Sequence, residues 1–123
     1  MAYTQRDIMT IQALHQQAQE SPATISFEQV MTLIDRLYYF TATSFTNGGV
    51  VNEAGTNEGS CKIFAFAQLN GFSEMETLAL FGKYYHDDVL GNPNGDDHPN
   101  IRNFILDGWL GIQFNTEPLT LKG

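Results

Sequence analysis

The stretch Gly55–Phe81 reads GTNEGSCKIFAFAQLNGFSEMETLALF, and it decides how the rest of the chain is organised. It begins as a polar, glycine-rich loop and becomes, over Ile63–Leu69, the most apolar run of the sequence. A helix that is apolar around nearly all of its circumference must be covered by neighbours on every side. The pattern therefore predicts a buried central helix, capped by Ser60 at its start and closed by a left-handed Gly71.

Two helices are predicted before this central one. Thr4 can cap an amphipathic helix, which ends before Ser21-Pro22 because the residue before a proline avoids helical angles. Ser26 and Gln29 then form a capping box. That box indicates a second helix, which runs to about Tyr38.

Two more helices are predicted after the central one. Ser73 and Glu76 form a capping box that opens the first of them. The stretch from His86 to Asn100 is too rich in turn residues to be one regular element. Pro99 suits the first position of the last helix, with Asp97 or His98 as its cap. The inward stripes of these two helices are Met75, Leu78, Phe81, Gly82 and Tyr85, then Ile101, Phe104, Ile105 and Trp109.

A small amount of β structure is predicted beside the helices. Tyr39–Thr46 is rich in aromatic and β-branched residues, Asn47-Gly48 suits a tight turn, and Val50-Val51 forms a short return strand. Ile112–Phe114 alternates and can join this hairpin. We therefore expect a mainly helical α+β fold, with about five helices around one buried central helix and a short antiparallel hairpin or small sheet. We expect it to form one domain over residues 1–123.

The composition limits the classes of partner. Six Lys and Arg against fourteen Asp and Glu give a net charge of −8, which repels nucleic acid and anionic lipid. No apolar run approaches the ~20 residues of a membrane span. A single cysteine forms no internal disulfide, and the first residues lack the basic start and apolar core of a Sec-type signal. We predict a cytoplasmic protein that binds neither nucleic acid nor a membrane and that uses no cofactor.

Two segments resemble a known family. They are NEAGTNEGSCKIFAFAQLNGFSEMETLALFGKYYHDDVL from Asn52 and NPNGDDHPNIRNFILDGWLGIQF from Asn92. The chain resembles the HopJ type III effector protein family from about Phe27 to Phe114, and less so over residues 1–25. The resemblance implies a bacterial source, secretion through a type III system as an alternative to the cytoplasm, and a host protein as partner if the chain is exported. It implies no catalytic residue and no substrate.

Cys61 is a candidate nucleophile. It lies just inside the predicted central helix, where backbone N–H groups and the helix dipole stabilise a thiolate. A thiolate paired with His98 or His86, with the histidine oriented by a carboxylate or amide, would make a cysteine hydrolase. The alternative is a small, buried and inert cysteine that packs beside Ile63 and Phe64.

The acidic loop is a candidate metal site. Asp87, Asp88, Asp96 and Asp97 offer carboxylate oxygens, and His86 and His98 together with one Asp could bind a transition metal. The calcium-loop pattern is not met, because with Asn92, Asn94 and Asp96 as the first ligands Asp97 stands where glycine belongs. The alternative is a turn-rich loop whose Asp residues cap the last helix.

A ligand site is also predicted at the start of the central helix. Its candidate residues are Asn57, Ser60, Lys62, Asn100 and Arg102. Helix N-termini bind anions, but the loop lacks the Walker sequence. We favour a non-catalytic domain that binds a partner or a small ligand. Any site requires the Asn57–Lys62 segment to meet the loop Asp87–His98.

Overall fold

A computed structural model describes residues 9–123 of the chain. Thr4, the predicted first cap, lies outside these residues. Within them the first helix, α1 (Ile11–Glu20), begins after Thr10, whose hydroxyl accepts the amide N–H of the third helical residue. The helix ends before the Ser21-Pro22 pair, as predicted, and a short 3-10 turn follows.

The second helix and the strand after it show one confirmed prediction and one error. The helix α2 (Phe27–Leu37) opens with the predicted capping box of Ser26. The predicted strand Tyr39–Thr46 is instead two strands, β1 (Tyr38–Phe40) and β2 (Phe45–Asn47). The two strands belong to different sheets, which is why the chain breaks between them.

Strand β2 is the centre of a three-stranded antiparallel sheet. It pairs with β3 (Val50–Asn52) on one side and β4 (Ile112–Phe114) on the other, so the predicted joining of Ile112–Phe114 to the hairpin is confirmed. Asn47 faces Val50, which places the turn at Gly48-Gly49, one residue later than predicted. A fifth strand, β5 (Leu119–Leu121), pairs with β1 and was not expected from the sequence.

The central helix is α3 (Glu58–Leu69). As predicted, it is covered on nearly all sides, and its buried residues are Cys61, Ile63, Phe64, Ala65, Phe66 and Ala67. It begins three residues earlier than predicted, because its N-cap is Asn57 rather than Ser60. Gly71 closes it with φ of +72°, and the Phe72 N–H donates to the Ala67 carbonyl at 3.0 Å. This is the glycine cap that the sequence predicts.

The next helix, α4 (Glu74–Ala79), has the predicted capping box but is shorter than expected. It ends because the chain turns at Gly82, which has φ of +63°. Met75 is 68% exposed, so the prediction that it points inward is wrong. A π-helical segment, Tyr84–Val89, then occupies part of the stretch for which no regular element was predicted.

The last helix, α5 (Pro99–Asp107), starts at Pro99 as predicted. His98 is its N-cap, with φ of +49° and no side-chain capping bond. Ile105 is 47% exposed and does not belong to the inward stripe. A 3-10 turn, Gly108–Gly111, connects α5 to β4.

The core lies around α3 and is largely aromatic. The Phe64 ring is fully buried, with ring centroids 4.9 Å from Phe104, 5.5 Å from Phe81 and 6.2 Å from Phe45. The mainly helical α+β class with small antiparallel sheets is therefore confirmed for the described residues. Among the described helices, none has both the length and the apolarity that a bilayer crossing requires.

Candidate functional site between two helix N-termini

A cleft of about 230 Å³ lies where the first turns of α3 and α5 meet. Its polar side chains are Asn57 and Ser60 from α3, and His98 and Asn100 from α5. Phe27, Phe81 and Tyr84 contribute aromatic surface to the same cleft. The Asn57–Lys62 segment and the loop Asp87–His98 therefore meet at this cleft, through Asn57, Ser60 and His98.

The helices that open onto the cleft have no side-chain caps. Both N-cap residues, Asn57 and His98, are left-handed, with φ of +51° and +49°. Neither side chain accepts a first-turn N–H, whereas Ser or Thr side chains cap α1, α2 and α4. The first N–H groups of an α-helix have no acceptor within the helix. Among the described residues, the first turns of α3 and α5 therefore present N–H groups without a side-chain cap, together with the positive ends of two helix dipoles, to the cleft.

A buried asparagine network holds the two helix starts together. Asn52, which is 1% exposed, accepts from Asn57 at 2.7 Å and from Asn100 at 2.9 Å, and donates back to Asn100 at 3.1 Å. Asn47 donates to the Asn100 carbonyl at 2.8 Å. Buried amides of this kind need partners, and these residues supply them to one another. The network ties the β2–β3 hairpin to both helices.

Sequence reasoning missed Asn47 and Asn52 as parts of this site. Asparagine is uncommon in strands, and both residues end a strand and are buried. A polar side chain at the end of an apolar β-hairpin was the available signal. The sequence does not show the partner of this side chain, because Asn52 is hydrogen-bonded to Asn100, 48 residues further along the chain.

Gly59 lets an aromatic ring form one wall of the cleft. A Cβ atom at this position would lie 2.7 Å from the Cζ atom of Phe27. The Phe27 ring also contacts Tyr84 edge-on, at a centroid distance of 5.2 Å. The glycine therefore serves close packing between α2 and the start of α3.

His98 lies between two carboxylates at the edge of the cleft. Its Nε2 atom is 2.9 Å from an oxygen of Asp88 and 3.9 Å from an oxygen of Asp97. Arg102, a candidate ligand residue, does not line the cleft but pairs with the Asp97 side chain and donates to the Asn92 carbonyl at 2.9 Å. The hydrogen bond from Arg102 lowers the pKa of Asp97 below its ordinary value. The N-cap position of α5 is held by His98, so Asp97 is not its cap.

Cys61 lies outside this arrangement. It is 1% exposed, and burial, with a further contribution from Glu58, raises its pKa to about 11. A thiol with such a pKa is protonated at neutral pH and is a poor nucleophile. Within residues 9–123, His98 is hydrogen-bonded to Asp88 and His86 to the Pro22 carbonyl, and neither is bonded to Cys61. The geometry gives a cysteine hydrolase no support.

The remaining candidates lie elsewhere. Lys62 pairs with Asp35 at 2.9 Å and lies over the Phe40 ring, so it does not line the cleft. His86 and Asp87 border a separate depression beside α2. Asp96 is exposed and is not part of the group formed by Asp88, Asp97 and His98.

The fold and the site together define a mainly helical α+β protein with a polar cleft between two helix N-termini. A family model described as HopJ type III effector protein matches residues 11–119. The chain therefore belongs to the HopJ type III effector family. Membership in a family of type III effectors fits secretion through a type III system and a role directed at a host.

A crystal structure of a protein of unknown function, VPA0580, is closely similar to this chain. The two sequences are 49% identical, and the structures superpose with a TM-score of 0.88. The match covers 93% of this chain and 95% of that one. No functionally curated protein is significantly similar to the chain.

Proposed function

We propose that the protein is a non-catalytic binding protein that takes a small organic molecule into the cleft between α3 and α5. The observation that carries this proposal is the convergence of two helix starts without side-chain caps, four polar side chains and an aromatic surface in one cleft. Pockets that combine an apolar surface with a few converging polar groups are the usual form of a small-molecule site.

The chemistry of the cleft indicates the class of ligand. Free N–H groups at helix starts bind a hydrogen-bond acceptor such as a carboxylate. The rings of Phe27 and Tyr84 suit a flat apolar body. Asp88 and Asp97 stand at the edge of the cleft, and the chain carries −8 overall, which opposes a highly charged anion. A small aromatic monocarboxylate therefore matches the cleft better than a phosphate does.

The size of the cleft sets the expected affinity. At about 230 Å³ it is smaller than the ~300–1,000 Å³ of sites for drug-sized ligands. Benzoate is a suitable probe, and we expect it to bind in about the micromolar to millimolar range, far weaker than the ceiling of roughly 1.5 kcal/mol per non-hydrogen atom. Saturation-transfer NMR, which detects weak binding from the ligand's own signals, is the appropriate measurement.

The test compares the wild type with two variants of α3. Ser60→Phe places a ring in the cleft, and Gln68→Phe adds the same ring at an exposed position of the same helix. We expect benzoate to receive saturation from the wild type and from Gln68→Phe, and to lose the signal with Ser60→Phe. Equal signals from all three proteins, or none from the wild type, would contradict the proposal.

We further infer from the family membership that the protein is cargo of a type III secretion system and acts on a host component. A fusion to a calmodulin-dependent adenylate cyclase reports delivery, because cyclic AMP rises only when the fusion enters host cells. We expect the rise with an intact secretion system and not with a secretion-deficient strain. Equal levels with both strains would contradict delivery and leave the ligand proposal to its own test.

A further inference from the structure

We infer that Asp88, Asp97 and His98 bind a divalent first-row transition metal ion, such as Zn²⁺, at the edge of the cleft. The three residues come from two segments, the π-helical segment and the end of the acidic loop. The inference goes beyond the proposed small-ligand function and does not depend on it, because it needs only these three side chains.

The geometry suits one ion. The ligand atoms of the three side chains all lie within 4.8 Å of one another. The His98 Nε2 atom is 2.9 Å from the Asp88 oxygen and 3.9 Å from the Asp97 oxygen. An ion with bonds of roughly 2.0–2.2 Å holds tetrahedral ligands about 3.3 Å apart. Small side-chain movements would therefore bring all three atoms into coordination.

The charges in the group favour a cation. The Nε2 atom carries at most one hydrogen, and Asp88, at 2.9 Å, is placed to accept it. The Asp97 oxygen at 3.9 Å is too far for a hydrogen bond and faces the same centre. Arg102 compensates Asp97 through its other oxygen. Two carboxylates thus converge on one point in a chain that is already strongly negative. The alternative to a metal ion at this point is a hydrogen on the Nε2 atom of His98, donated to Asp88.

The donor types select the metal. Imidazole with carboxylates suits zinc and its first-row neighbours, whereas Ca²⁺ requires six to eight oxygens. Two carboxylates and one imidazole do not form such an oxygen shell. Three protein ligands leave a coordination position free for water or for a group of a ligand in the neighbouring cleft. The site differs from the sequence prediction, which grouped Asp87 and Asp96 with Asp88 and Asp97.

The experiment is a calorimetric titration of the chelator-stripped full chain with Zn²⁺ alone. We expect one ion per chain, and Asp88→Asn and His98→Asn should each weaken binding by at least about tenfold, since loss of even an outer-shell partner costs 10–100-fold. Asparagine is chosen at residue 98 because it tolerates the left-handed backbone there. The matched control is Asp96→Asn, which removes the same charge from the same loop and should leave the affinity unchanged.

Three results would overturn the inference. One is the absence of saturable binding to the wild type. Another is an equal loss of affinity in Asp96→Asn and Asp88→Asn, which would mean diffuse attraction to an acidic surface. The third is an NMR spectrum in which the Nε2 atom of His98 keeps its hydrogen with excess Zn²⁺ present, because a metal-bound nitrogen carries none. Melting temperatures measured in chelator identify any variant that fails to fold. The benzoate experiment uses no metal, so each proposal fails independently.

Discussion

Asn52 joins the β2–β3 hairpin to the starts of α3 and α5. Its replacement by alanine is the sharpest test of whether this network stabilises the cleft. Its side chain accepts from Asn57 and Asn100 and donates back to Asn100, at 2.7 to 3.1 Å. Asn52→Ala removes all three hydrogen bonds. It leaves the Asn100 amide nitrogen without a described partner in a residue that is only 4% exposed.

The expected loss of stability follows from these contacts. A buried polar group left without a partner costs about 1–3 kcal/mol, and an ordinary hydrogen bond contributes about 0.5–1.5 kcal/mol. Asn57 is exposed, so in the variant its side-chain amide can donate to water instead. The loss of its hydrogen bond to residue 52 therefore contributes close to the lower limit of that range. We expect Asn52→Ala to lower the free energy of unfolding by about 2–4 kcal/mol, which lowers the Tm of a chain of this size by on the order of 10 °C.

Urea denaturation followed by circular dichroism measures this loss. The control is Asn94→Ala, an exposed position in the acidic loop, which should change stability by less than about 0.5 kcal/mol. The near-isosteric Asn52→Asp retains the acceptor but places a carboxylate against the Asn100 oxygen. Its pKa should therefore rise above the unfolded value, so its destabilisation grows as the pH increases from 4 to 7. A loss below about 1 kcal/mol for Asn52→Ala would refute the reasoning.

Three further predictions concern single side chains. Burial opposes ionisation of Glu76, but hydrogen bonds from the backbone N–H of its N-cap, Ser73, and from His15 outweigh burial and lower its pKa. Glu76→Gln should therefore lower the Tm at pH 7. The difference in Tm between wild type and variant should vanish as the pH falls below the pKa of Glu76 in the folded protein. The pKa of Cys61 is about 11, whereas an ordinary cysteine thiol has a pKa of 9.0. Because only the thiolate reacts, Cys61 should react with iodoacetamide about a hundredfold more slowly at neutral pH than an ordinary thiol. Gly59→Ala should cost about 1–3 kcal/mol by clashing with Phe27, more than its gain in helix propensity.

Each of these predictions has a contrary result. An unchanged pH dependence in Glu76→Gln would remove the role given to that carboxylate. Rapid labelling of Cys61 in the native protein, as fast as in urea, would show an accessible thiol and revive the nucleophile hypothesis. Gly49→Ala is the control for Gly59→Ala, because a Cβ atom at Gly49 meets nothing within 4 Å. Equal stability of the two alanine variants would mean that the Phe27 contact relaxes at little cost.

Local signals predicted most of the helices. The capping boxes at Ser26 and Ser73 and the glycine cap at Gly71 act within a few residues, so the sequence shows them directly. The burial of α3 follows from an apolar run that has no polar face. The start of α3 was misplaced because Ser60 looks like a cap, whereas the chain turns into the helix at a left-handed Asn57.

Long-range pairings were not predictable in the same way. The pairing of β1 with β5 joins residues about 80 positions apart, and short strands at such a separation leave little local signal. The sequence placed Asn57, Ser60 and Asn100 among the candidate ligand residues near polar helix starts, and it placed His98 among the candidates as a partner of Cys61 or a metal ligand. It could not show that Asn52 bridges two of them, nor that Asp88 faces His98 while Asp96 does not.

The most direct test of ligand binding in the cleft is a ¹H–¹⁵N NMR titration of the full chain with benzoate. We expect the largest amide shifts at Gly59, Ser60, Asn100 and Ile101, the first-turn residues of α3 and α5 that line the cleft. Shifts that saturate at these four amides and disappear in Ser60→Phe would support the proposed function. Unchanged spectra, or shifts centred elsewhere on the protein, would contradict it.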